Sequence, residues 1–201
     1  MVRAPPPARP FTHTSQKPAN IGPAPYQTLE RKPLLAFSSA QLTLNFTPTT
    51  QYDQAGLLLI LHPPADYSAP ESVSQGPEAS DKYWIKTGVE LYDAKPRASV
   101  VACKEWADWS IATLEGASKN IETTFIIQRS TDHMGPSFWV YKEDKEGREA
   151  LREICWVFAL GDGPEAGSGW EVEVAAYACR PNDEVSGELE AGFKDIKVEW
   201  L

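Results

Sequence analysis

Apolar and polar positions alternate in short runs from about residue 34 onward, and turn-forming Gly, Pro, Asp and Asn separate the runs. Alternation with a period of two is the pattern of a strand with one buried face. It predicts strands in QLTLNF, AGLLLILH, YWIKTGVELY, ASVVACKE, TTFIIQRS, SFWVYKE, EICWVFAL, GWEVEVAAYAC and FKDIKVEW, whereas only KEGREALRE is typical of a short helix. The pattern therefore predicts an all-β fold of two packed antiparallel sheets.

The clearest alternation also predicts which side chains face the core. In QLTLNF, GWEVEVAA and KDIKVEW, apolar side chains occupy every second position, as expected of half-buried strands. The residues predicted to point inward are Leu42, Leu44 and Phe46, then Trp170, Val172, Val174 and Ala176, and finally Ile196, Val198 and Trp200.

Two segments lack this pattern. Residues 1–33 are rich in proline, which is incompatible with a regular helix or a central strand, so they are expected to form an extended or disordered arm. The rest, 34–201, is predicted to be one sandwich domain. Within it, residues 62–82 form a long loop of Pro, Ser, Gly and acidic residues, and loops of this length are often disordered or functional.

Composition narrows the classes of partner. The 201 residues with 42% apolar content suit one folded domain with a sizeable core. The 28 acidic against 19 basic side chains give a net charge of −9, which repels phosphate backbones and anionic membrane surfaces, so we expect neither nucleic acid nor membrane as partner. No apolar run fits a secretory signal or a membrane span, so the expected location is cytoplasmic.

Metal and cofactor chemistry is not expected. The histidines are single, without Cys or His at ligand spacing, and no phosphate-binding loop is present. The cysteines are odd in number, far apart and embedded in strand-like runs, so buried reduced thiols are predicted rather than disulfides. These residues are His13, His62 and His133, and Cys103, Cys155 and Cys179.

The run YWIKTGVELYD, residues 83–93, carries large rings next to charges. On one side of the strand lie Trp84, Lys86, Gly88, Glu90 and Tyr92, and on the other lie Ile85, Thr87, Val89 and Leu91, which are typical of core. The rings of the first side could stack on a sugar or another flat ligand that Lys86 and Glu90 orient. The alternative is a solvated sheet face with a Lys86–Glu90 ion pair and Trp84 shielding an edge.

The segment CKEWADWS places Trp106 and Trp109 around Asp108, in a predicted loop after a strand. Asp108 could accept hydrogen bonds from a ligand hydroxyl beside a tryptophan ring. Alternatively, Asp108 caps the turn and Trp109 closes the end of the sandwich. In YDQAG, Asp53 and Gln54 point to opposite faces, so at most one of them faces the core, where it needs a buried partner.

A pair of carboxylates also has to be considered. Glu171 and Glu173 share one face of a strand at roughly 7 Å, close to spacings used in glycoside hydrolysis. A Glu-x-Glu on the wet side of a strand is the more ordinary outcome, and this pair is not assigned a catalytic role.

Four segments together resemble a known family. They are QYDQAGLLL (51–59), YWIKTGVELYDAKPRASVV (83–101), ADWS (107–110) and AAYACRP (175–181), and they are similar to the concanavalin-A-like domains of the YesU and regulation-of-enolase protein type. The resemblance implies a jelly-roll β-sandwich with a concave sheet face, in a family whose members mostly have no established activity. Arg180, where the family usually has a small residue, and the 62–82 loop depart from its pattern.

The leading hypothesis is non-covalent binding of a carbohydrate or other small ligand on the concave face, with a regulatory role as one expectation. The residues expected to line the site are Trp84, Lys86, Glu90, Tyr92, Trp106, Asp108 and Trp109.

Two alternatives remain open. One is a small-metabolite enzyme of the isomerase or cyclase type, with Glu90 or Asp108 as general acid–base and Lys86 as an electrostatic stabiliser. The other is a protein-interaction module whose partner is captured by residues 1–33.

Overall fold

A computed structural model describes the backbone of residues 2–4 and, in full, residues 26–67, 83–104, 106–114, 121–161, 166–181 and 189–201. Its strands are β1 (Val2–Ala4), β2 (Tyr26–Pro33), β3 (Phe37–Phe46), β4 (Gln54–His62), β5 (Tyr83–Tyr92), β6 (Lys95–Lys104), β7 (Trp106–Thr113), β8 (Ile121–Asp132), β9 (Gly135–Asp144), β10 (Gly147–Ile154), β11 (Glu171–Cys179) and β12 (Leu189–Trp200). Short 3₁₀ turns occupy Leu34–Ala36 and Val157–Ala159.

The strands form two six-stranded sheets. Sheet A has the order β1-β12-β3-β8-β9-β10 and sheet B the order β2-β11-β4-β5-β6-β7, and each pairing between neighbours is antiparallel. The two sheets pack face to face over one apolar core, as a jelly-roll-like sandwich. The predicted all-β, two-sheet fold class is confirmed.

Alternate side chains of facing strands fill this core, as the sequence pattern predicts. The inward residues of QLTLNF and of GWEVEVAA are all buried in it. The prediction is wrong for Ile196, which is 41% exposed. The β12–β3 register shifts between Lys194 and Lys197, and Asp195 has a positive φ of 51°, so a bulge turns Ile196 away from the core.

The structure differs from the predicted arm of residues 1–33 near both of its ends. Residues 2–4 are strand β1, which pairs with β12 in sheet A. Residues 26–33 are strand β2, which pairs with β11 at an edge of sheet B. Its one proline, Pro33, is the last residue of the strand, and an edge strand tolerates proline at such a position. Residues 5–25 lie outside the described residues.

Three local predictions are wrong. The strand expected in EICWVFAL ends at Ile154, and Val157–Ala159 form a 3₁₀ turn instead. KEGREALRE is not helical but forms the turn and strand of the β9–β10 hairpin, where Gly147 has a φ of 121° and the Asp144 side chain accepts a hydrogen bond from the Glu146 amide at 2.8 Å. The ADWS segment is not a loop, because it lies within edge strand β7.

The cysteines are free thiols with different surroundings. Cys103 is buried, Cys179 is half-buried, and Cys155 is exposed, which corrects the prediction of burial for Cys155. Burial raises the pKa of the Cys103 thiol to about 11. Of the predicted 62–82 loop, His62 belongs to β4 and Tyr67 packs on Tyr83, whereas residues 68–82 are outside the described part of the chain. No described helix is long and apolar enough to cross a membrane.

Strands β4 and β5 approach unusually closely where Gly56 and Gly88 face each other. A Cβ added to Gly56 would lie 2.1 Å from the Thr87 carbonyl oxygen, and one added to Gly88 would lie 2.0 Å from the Ala55 carbonyl oxygen. Both obstacles are backbone atoms, so no side chain can turn aside to make room. Only glycine fits this pair of positions.

We expect Gly56→Ala to destabilise the protein by at least about 2 kcal/mol, because the two strands must separate to admit the methyl group. Gly192→Ala is the matched control: its added Cβ would meet Asn45 at 3.6 Å, an ordinary contact. The control should change the free energy of unfolding by less than about 0.5 kcal/mol in urea titrations. Equal stability of the two variants would contradict the close approach.

A buried ion pair joins the start of β4 to the residue after β11. Arg180 donates from Nε to Asp53 Oδ1 at 2.7 Å and from Nη2 to Asp53 Oδ2 at 2.8 Å. The amides of Thr49 and Thr50 each donate to Asp53 Oδ2 at 2.9 Å. Arg180 is therefore the buried partner of Asp53, while Gln54, which is buried as well, has Lys86 as its partner.

Burial by itself raises the pKa of Asp53, but the hydrogen bonds from Arg180, Thr49 and Thr50 outweigh it and hold the pKa below the ordinary value of 3.8. A carboxyl with a lowered folded-state pKa stabilises the protein above pH 3.8 and loses this contribution as the pH falls through its folded-state pKa. The Asp53–Arg180 pair therefore stabilises the folded protein at neutral pH, and this stabilisation is lost in acid.

We predict that Asp53→Asn costs about 3–5 kcal/mol at neutral pH, because it leaves the Arg180 charge buried without its counter-ion. The difference from wild type should shrink below pH 3.8, where wild type loses the same contribution. The double variant Asp53→Asn/Arg180→Met is expected to lose less than Asp53→Asn alone. Unfolding titrations across pH measure all three, and strictly additive losses would rule out the coupling.

Candidate functional site

Five of the seven predicted site residues lie on the outer face of sheet B, the face turned away from sheet A. Strand β5 supplies Trp84, Lys86, Glu90 and Tyr92, while its alternate residues Ile85 and Val89 enter the core between the sheets. Trp109 of β7 reaches the same face, because it lies opposite Val101, which lies opposite Lys86.

The middle of this outer face is a second apolar cluster, not a solvated surface. It consists of Leu58, Ile60, Trp84, Val101, Cys103, Ala175 and Tyr177, all of them buried. Trp84 is only 1% exposed, so its ring is part of this buried cluster and is not accessible to a ligand. Gly88 is likewise explained by the approach of β4, and not by access of a ligand to its backbone.

Lys86 is buried next to this apolar cluster. Its Nζ donates to Gln54 Oε1 at 2.5 Å and lies 5.5 Å from the ring centre of Trp84 and 5.9 Å from that of Tyr177. Burial lowers the pKa of Lys86 below its ordinary value of 10.5, and the attraction of Glu90 and of Cys179 opposes the shift. Lys86 and Glu90 do not form the ion pair expected of a wet sheet face, since Gln54 takes the direct contact.

Glu90 is 6% exposed and is held by two donors from neighbouring strands. Ser99 Oγ donates to Glu90 Oε2 at 2.8 Å, and Trp109 Nε1 approaches the same oxygen at 3.1 Å. Trp109 Nε1 also lies 3.1 Å from Ser99 Oγ. Among the described residues nothing donates to Glu90 Oε1, which leaves one carboxylate oxygen free to accept a further hydrogen bond.

Aromatic rings surround Glu90 at the surface. Tyr92 packs edge-on against Trp109, with ring centres 5.1 Å apart, and Tyr52 lies 6.1 Å from Tyr92. Tyr52 has a positive φ of 68°, a conformation that is costly for a bulky residue. Tyr52 and Trp109 are 41% and 42% exposed. We call Glu90, Tyr52, Tyr92, Ser99 and Trp109 the Glu90 site.

Arg97 belongs beside this site, and sequence reasoning missed it. It lies directly opposite Glu90 on β6, and its Nη1 donates to Thr113 Oγ1 at 3.2 Å. Its Nε is buried without a hydrogen-bond partner in the described part of the chain, an unusual state for a charged donor. The signal that could have revealed it is its position opposite Glu90 in the YWIKTGVELYDAKPR hairpin, where residues 90 and 97 pair across the turn.

Trp106 and Asp108 do not join the other predicted residues. They alternate with Trp109 along β7 and therefore point to its other face. Asp108 accepts hydrogen bonds from Arg152 of sheet A, at 3.1 Å to Oδ2 and 2.8 Å to its carbonyl oxygen. The alternatives of a ligand-binding loop and of a turn cap both fail for Asp108, because residues 106–113 form a strand.

A second polar group lies at the far end of the same face. His62 Nε2 is 2.7 Å from Glu173 Oε2, and the Thr28 hydroxyl donates to the other oxygen of Glu173. Glu173 is buried, which corrects its assignment to a wet strand face, whereas Glu171 is half-buried and pairs with Arg31 at 2.6 Å. Both acids of the Glu-x-Glu motif therefore have basic partners.

The two polar groups are too far apart to act on one bond. Glu173 lies opposite Ile60, and Ile60 lies opposite Trp84, which is six positions from Glu90 along β5. At about 3.3 Å per residue this separates the His62–Glu173 pair from the Glu90 site by roughly 20 Å. Within the described ranges, no three His, Cys, Asp or Glu side chains group in a way that could hold a metal ion.

Fold and site together define the class: a two-sheet antiparallel β-sandwich in which the outer face of one sheet buries a lysine and a carboxylate beside an aromatic rim. Residues 10–200 match the DUF1349 family, described as proteins of unknown function. The chain belongs to this family.

Several proteins are similar to the chain. The uncharacterized protein AN7484 of Emericella nidulans is 30% identical over 167 residues, which are 83% of this chain and 70% of that protein. A functionally unknown protein from Saccharomyces cerevisiae has a TM-score of 0.58 at 18% identity and covers 86% of this chain and 72% of its own. A Bacteroides ovatus protein, Xyloglucan PUL GH43B, has a TM-score of 0.54 at 15% identity over 83% of this chain and 27% of its own.

We predict that Lys86 titrates below 10.5 in an NMR titration of its Nζ and Cε nuclei, and that Glu90→Gln lowers its pKa further. The reason for the second effect is that Glu90 is the larger of the two attractions that oppose the shift caused by burial. Glu173→Gln, roughly 20 Å away, is the matched control and should leave the Lys86 pKa in place. A Lys86 pKa at or above 10.5 would contradict the burial of its ammonium group.

Proposed function

We propose that the outer face of sheet B binds a carbohydrate non-covalently at the Glu90 site, in agreement with the leading hypothesis from the sequence. The single observation that carries this proposal is the unused hydrogen-bonding capacity beside exposed rings. Glu90 Oε1 lacks a donor among the described residues, and the half-buried side chain of Arg97 lies on the paired strand directly opposite. Tyr52 and Trp109 beside them are each about two-fifths exposed.

A sugar can use both the free hydrogen-bonding groups and the exposed aromatic rings. Its hydroxyl groups can donate to Glu90 Oε1 and accept from the half-buried guanidinium of Arg97, and its flat faces of C–H groups can pack on an aromatic ring. A purely apolar ligand would leave both groups unpaired at a cost, and a phosphate would face the carboxylate. A free carboxylate oxygen opposite a half-buried guanidinium favours a neutral polyol over either alternative.

The proposal uses fewer residues than the sequence suggested. Trp84 is left out because it is buried in the apolar cluster, six positions from Glu90 along β5, and Lys86 is left out because it is buried with Gln54 as its partner. Trp106 and Asp108 are left out because they face the other way. The similarity to Xyloglucan PUL GH43B supports the fold alone, but the words of its description make xyloglucan oligosaccharides a reasonable first probe.

The enzyme hypothesis survives in one form. A carboxylate buried near a lysine of lowered pKa is the arrangement expected of a general acid–base, which favours Glu90 and Lys86 over Asp108 in that role. We rank it second because Oε2 of Glu90 is occupied by Ser99 and Trp109, leaving a single oxygen for substrate. Mass analysis of each ligand after incubation with the protein distinguishes turnover from binding.

Other assignments from the sequence remain proposals. They are the kinship to the YesU and regulation-of-enolase type, the cytoplasmic location, and the capture of a protein partner by residues 1–33.

The test is calorimetric titration with a panel of oligosaccharides that includes xyloglucan fragments. We expect Trp109→Ala and Glu90→Gln each to raise the dissociation constant by at least about tenfold, equivalent to about 1.4 kcal/mol. Trp106→Ala removes an even more exposed tryptophan from the opposite face of the same strand and should change binding less than about twofold.

Thermal unfolding shows whether each variant is folded before its binding is compared. Binding that is lost equally in Trp106→Ala and Trp109→Ala would contradict the Glu90 site. So would binding by wild type that neither Trp109→Ala nor Glu90→Gln weakens.

A further inference from the structure

Strand β7 is an open edge of sheet B, with β6 as its one neighbour among the described strands. Its side chains are mostly exposed, and three of them are large and apolar: Trp106, Trp109 and Ile111 at 61%, 42% and 39%. An edge strand presents a row of unpaired N–H and C=O groups, so exposed apolar side chains on it invite pairing with another strand.

The other three sheet edges are protected against such pairing. β2 carries Glu30, Arg31, Lys32 and Pro33, and its register against β11 shifts between Val174 and Ala175. β10 carries Arg148, Glu149, Arg152 and Glu153, and its register against β9 shifts between Ala150 and Arg152. β1 is three residues long. Charges, proline, bulges and short length are the devices that keep edges from pairing.

β7 lacks these devices along most of its length. Its sequence WADWSIAT contains no proline and no basic residue, and its pairing with β6 runs from Thr113 to Trp106 without a register shift. Its one charge, Asp108, is neutralised locally by Arg152, which also donates to the Asp108 carbonyl oxygen at 2.8 Å and has to release it if that carbonyl is to pair with another strand. The strand is thus regular, nearly uncharged and apolar along its open side.

We propose that β7 pairs with β7 of a second copy of this chain, antiparallel and around a two-fold axis at Ser110. This register places Trp109 opposite Ile111 of the second copy, Asp108 opposite Ala112, and Ala107 opposite Thr113. The same contacts occur twice because the interface is symmetric. Sheet B then continues from one copy into the other.

The register is self-complementary. Partners across an antiparallel pair share a face, so both half-exposed apolar residues of the outer side, Trp109 and Ile111, gain an apolar partner. Aromatic residues opposite β-branched ones are a favourable cross-strand combination. An axis at Asp108 would place the two Asp108 carboxylates opposite each other, and the axis at Ser110 avoids this repulsion. Edge pairing over seven residues is a small interface, so micromolar rather than nanomolar affinity is expected.

The pairing would also set the spacing of two Glu90 sites on one continuous face. Five strand intervals of about 4.8 Å separate β5 of one copy from β5 of the other, or roughly 24 Å. Two Glu90 sites at this spacing allow the dimer to bind one long carbohydrate chain at two points. This consequence alone rests on the proposed function. The pairing itself needs no ligand, so the two proposals fail independently.

Analytical ultracentrifugation of the ligand-free chain from about 1 μM to about 1 mM, at about 0.15 M ionic strength, tests the pairing. We expect wild type to approach twice the 22.2 kDa of the single chain as concentration rises. Ile111→Lys places a charge on the open edge and should weaken association at least about tenfold. Ala150→Lys places the same charge on the protected edge β10 and should leave association unchanged.

The register has its own test. In a Cys155→Ser background, which removes the exposed thiol, Ser110→Cys should form a disulfide-linked dimer on mild oxidation, because the two introduced thiols face each other across the axis. A wild type that stays at 22.2 kDa throughout the series would overturn the proposal. A dimer that Ile111→Lys does not weaken, or that Ser110→Cys does not cross-link, would overturn it as well.

Discussion

Strand β5 is buried on both of its faces, and the other strands of sheet B are arranged around that constraint. Its inward side, with Ile85 and Val89, forms core with sheet A, as any strand of a sandwich does. Its outward side must then bury two charges, Lys86 and Glu90, at a cost that is acceptable only with partners. Gln54 on one neighbouring strand and Ser99 on the other supply those partners, with Trp109 of β7 adding a second donor to Glu90.

The close contact of Gly56 and Gly88 fits the same arrangement. The two glycines leave a row of the outer face without side chains, between the level of Lys86 and that of Glu90. Lys86 is therefore enclosed by Trp84, Tyr177 and Gln54, while Glu90 remains at the edge of the apolar cluster, next to the exposed rings of Tyr52 and Trp109. The glycine row thus separates the enclosed charge of Lys86 from the partly accessible charge of Glu90.

The fold could be read from the sequence because period-two alternation is a local signal that tertiary packing reinforces. It identified the core faces of β3 and β11, and failed for Ile196, where a bulge breaks the alternation. The helix expected in KEGREALRE was wrong because pairing with β9 outweighed the local preference of its charged residues. The strand β2 was missed because proline is abundant in residues 1–33, although Pro33 at the end of an edge strand does not interrupt the pairing.

The site was predictable only in part, for a similar reason. Alternation placed Lys86, Glu90 and Tyr92 on one face, since they share a strand, and correctly separated them from Ile85 and Val89. It could not show that Trp84 is buried, that Arg97 lies across from Glu90, or that His62 meets Glu173, because these facts depend on which strands are neighbours. Treating residues 106–110 as a loop also removed the alternation that separates Trp109 from Asp108.

The most direct test of the Glu90 site is the indole N–H resonance of Trp109 in a ¹H–¹⁵N spectrum recorded during titration with xyloglucan oligosaccharides and the other glycans of the panel. Trp109 Nε1 donates hydrogen bonds to Glu90 and Ser99. A ligand that hydrogen-bonds to the free oxygen of Glu90 should therefore shift this resonance in a saturable way. The resonance of Trp106, on the opposite face of the same strand, should stay in place. A saturable shift at Trp106 with none at Trp109 would contradict the account.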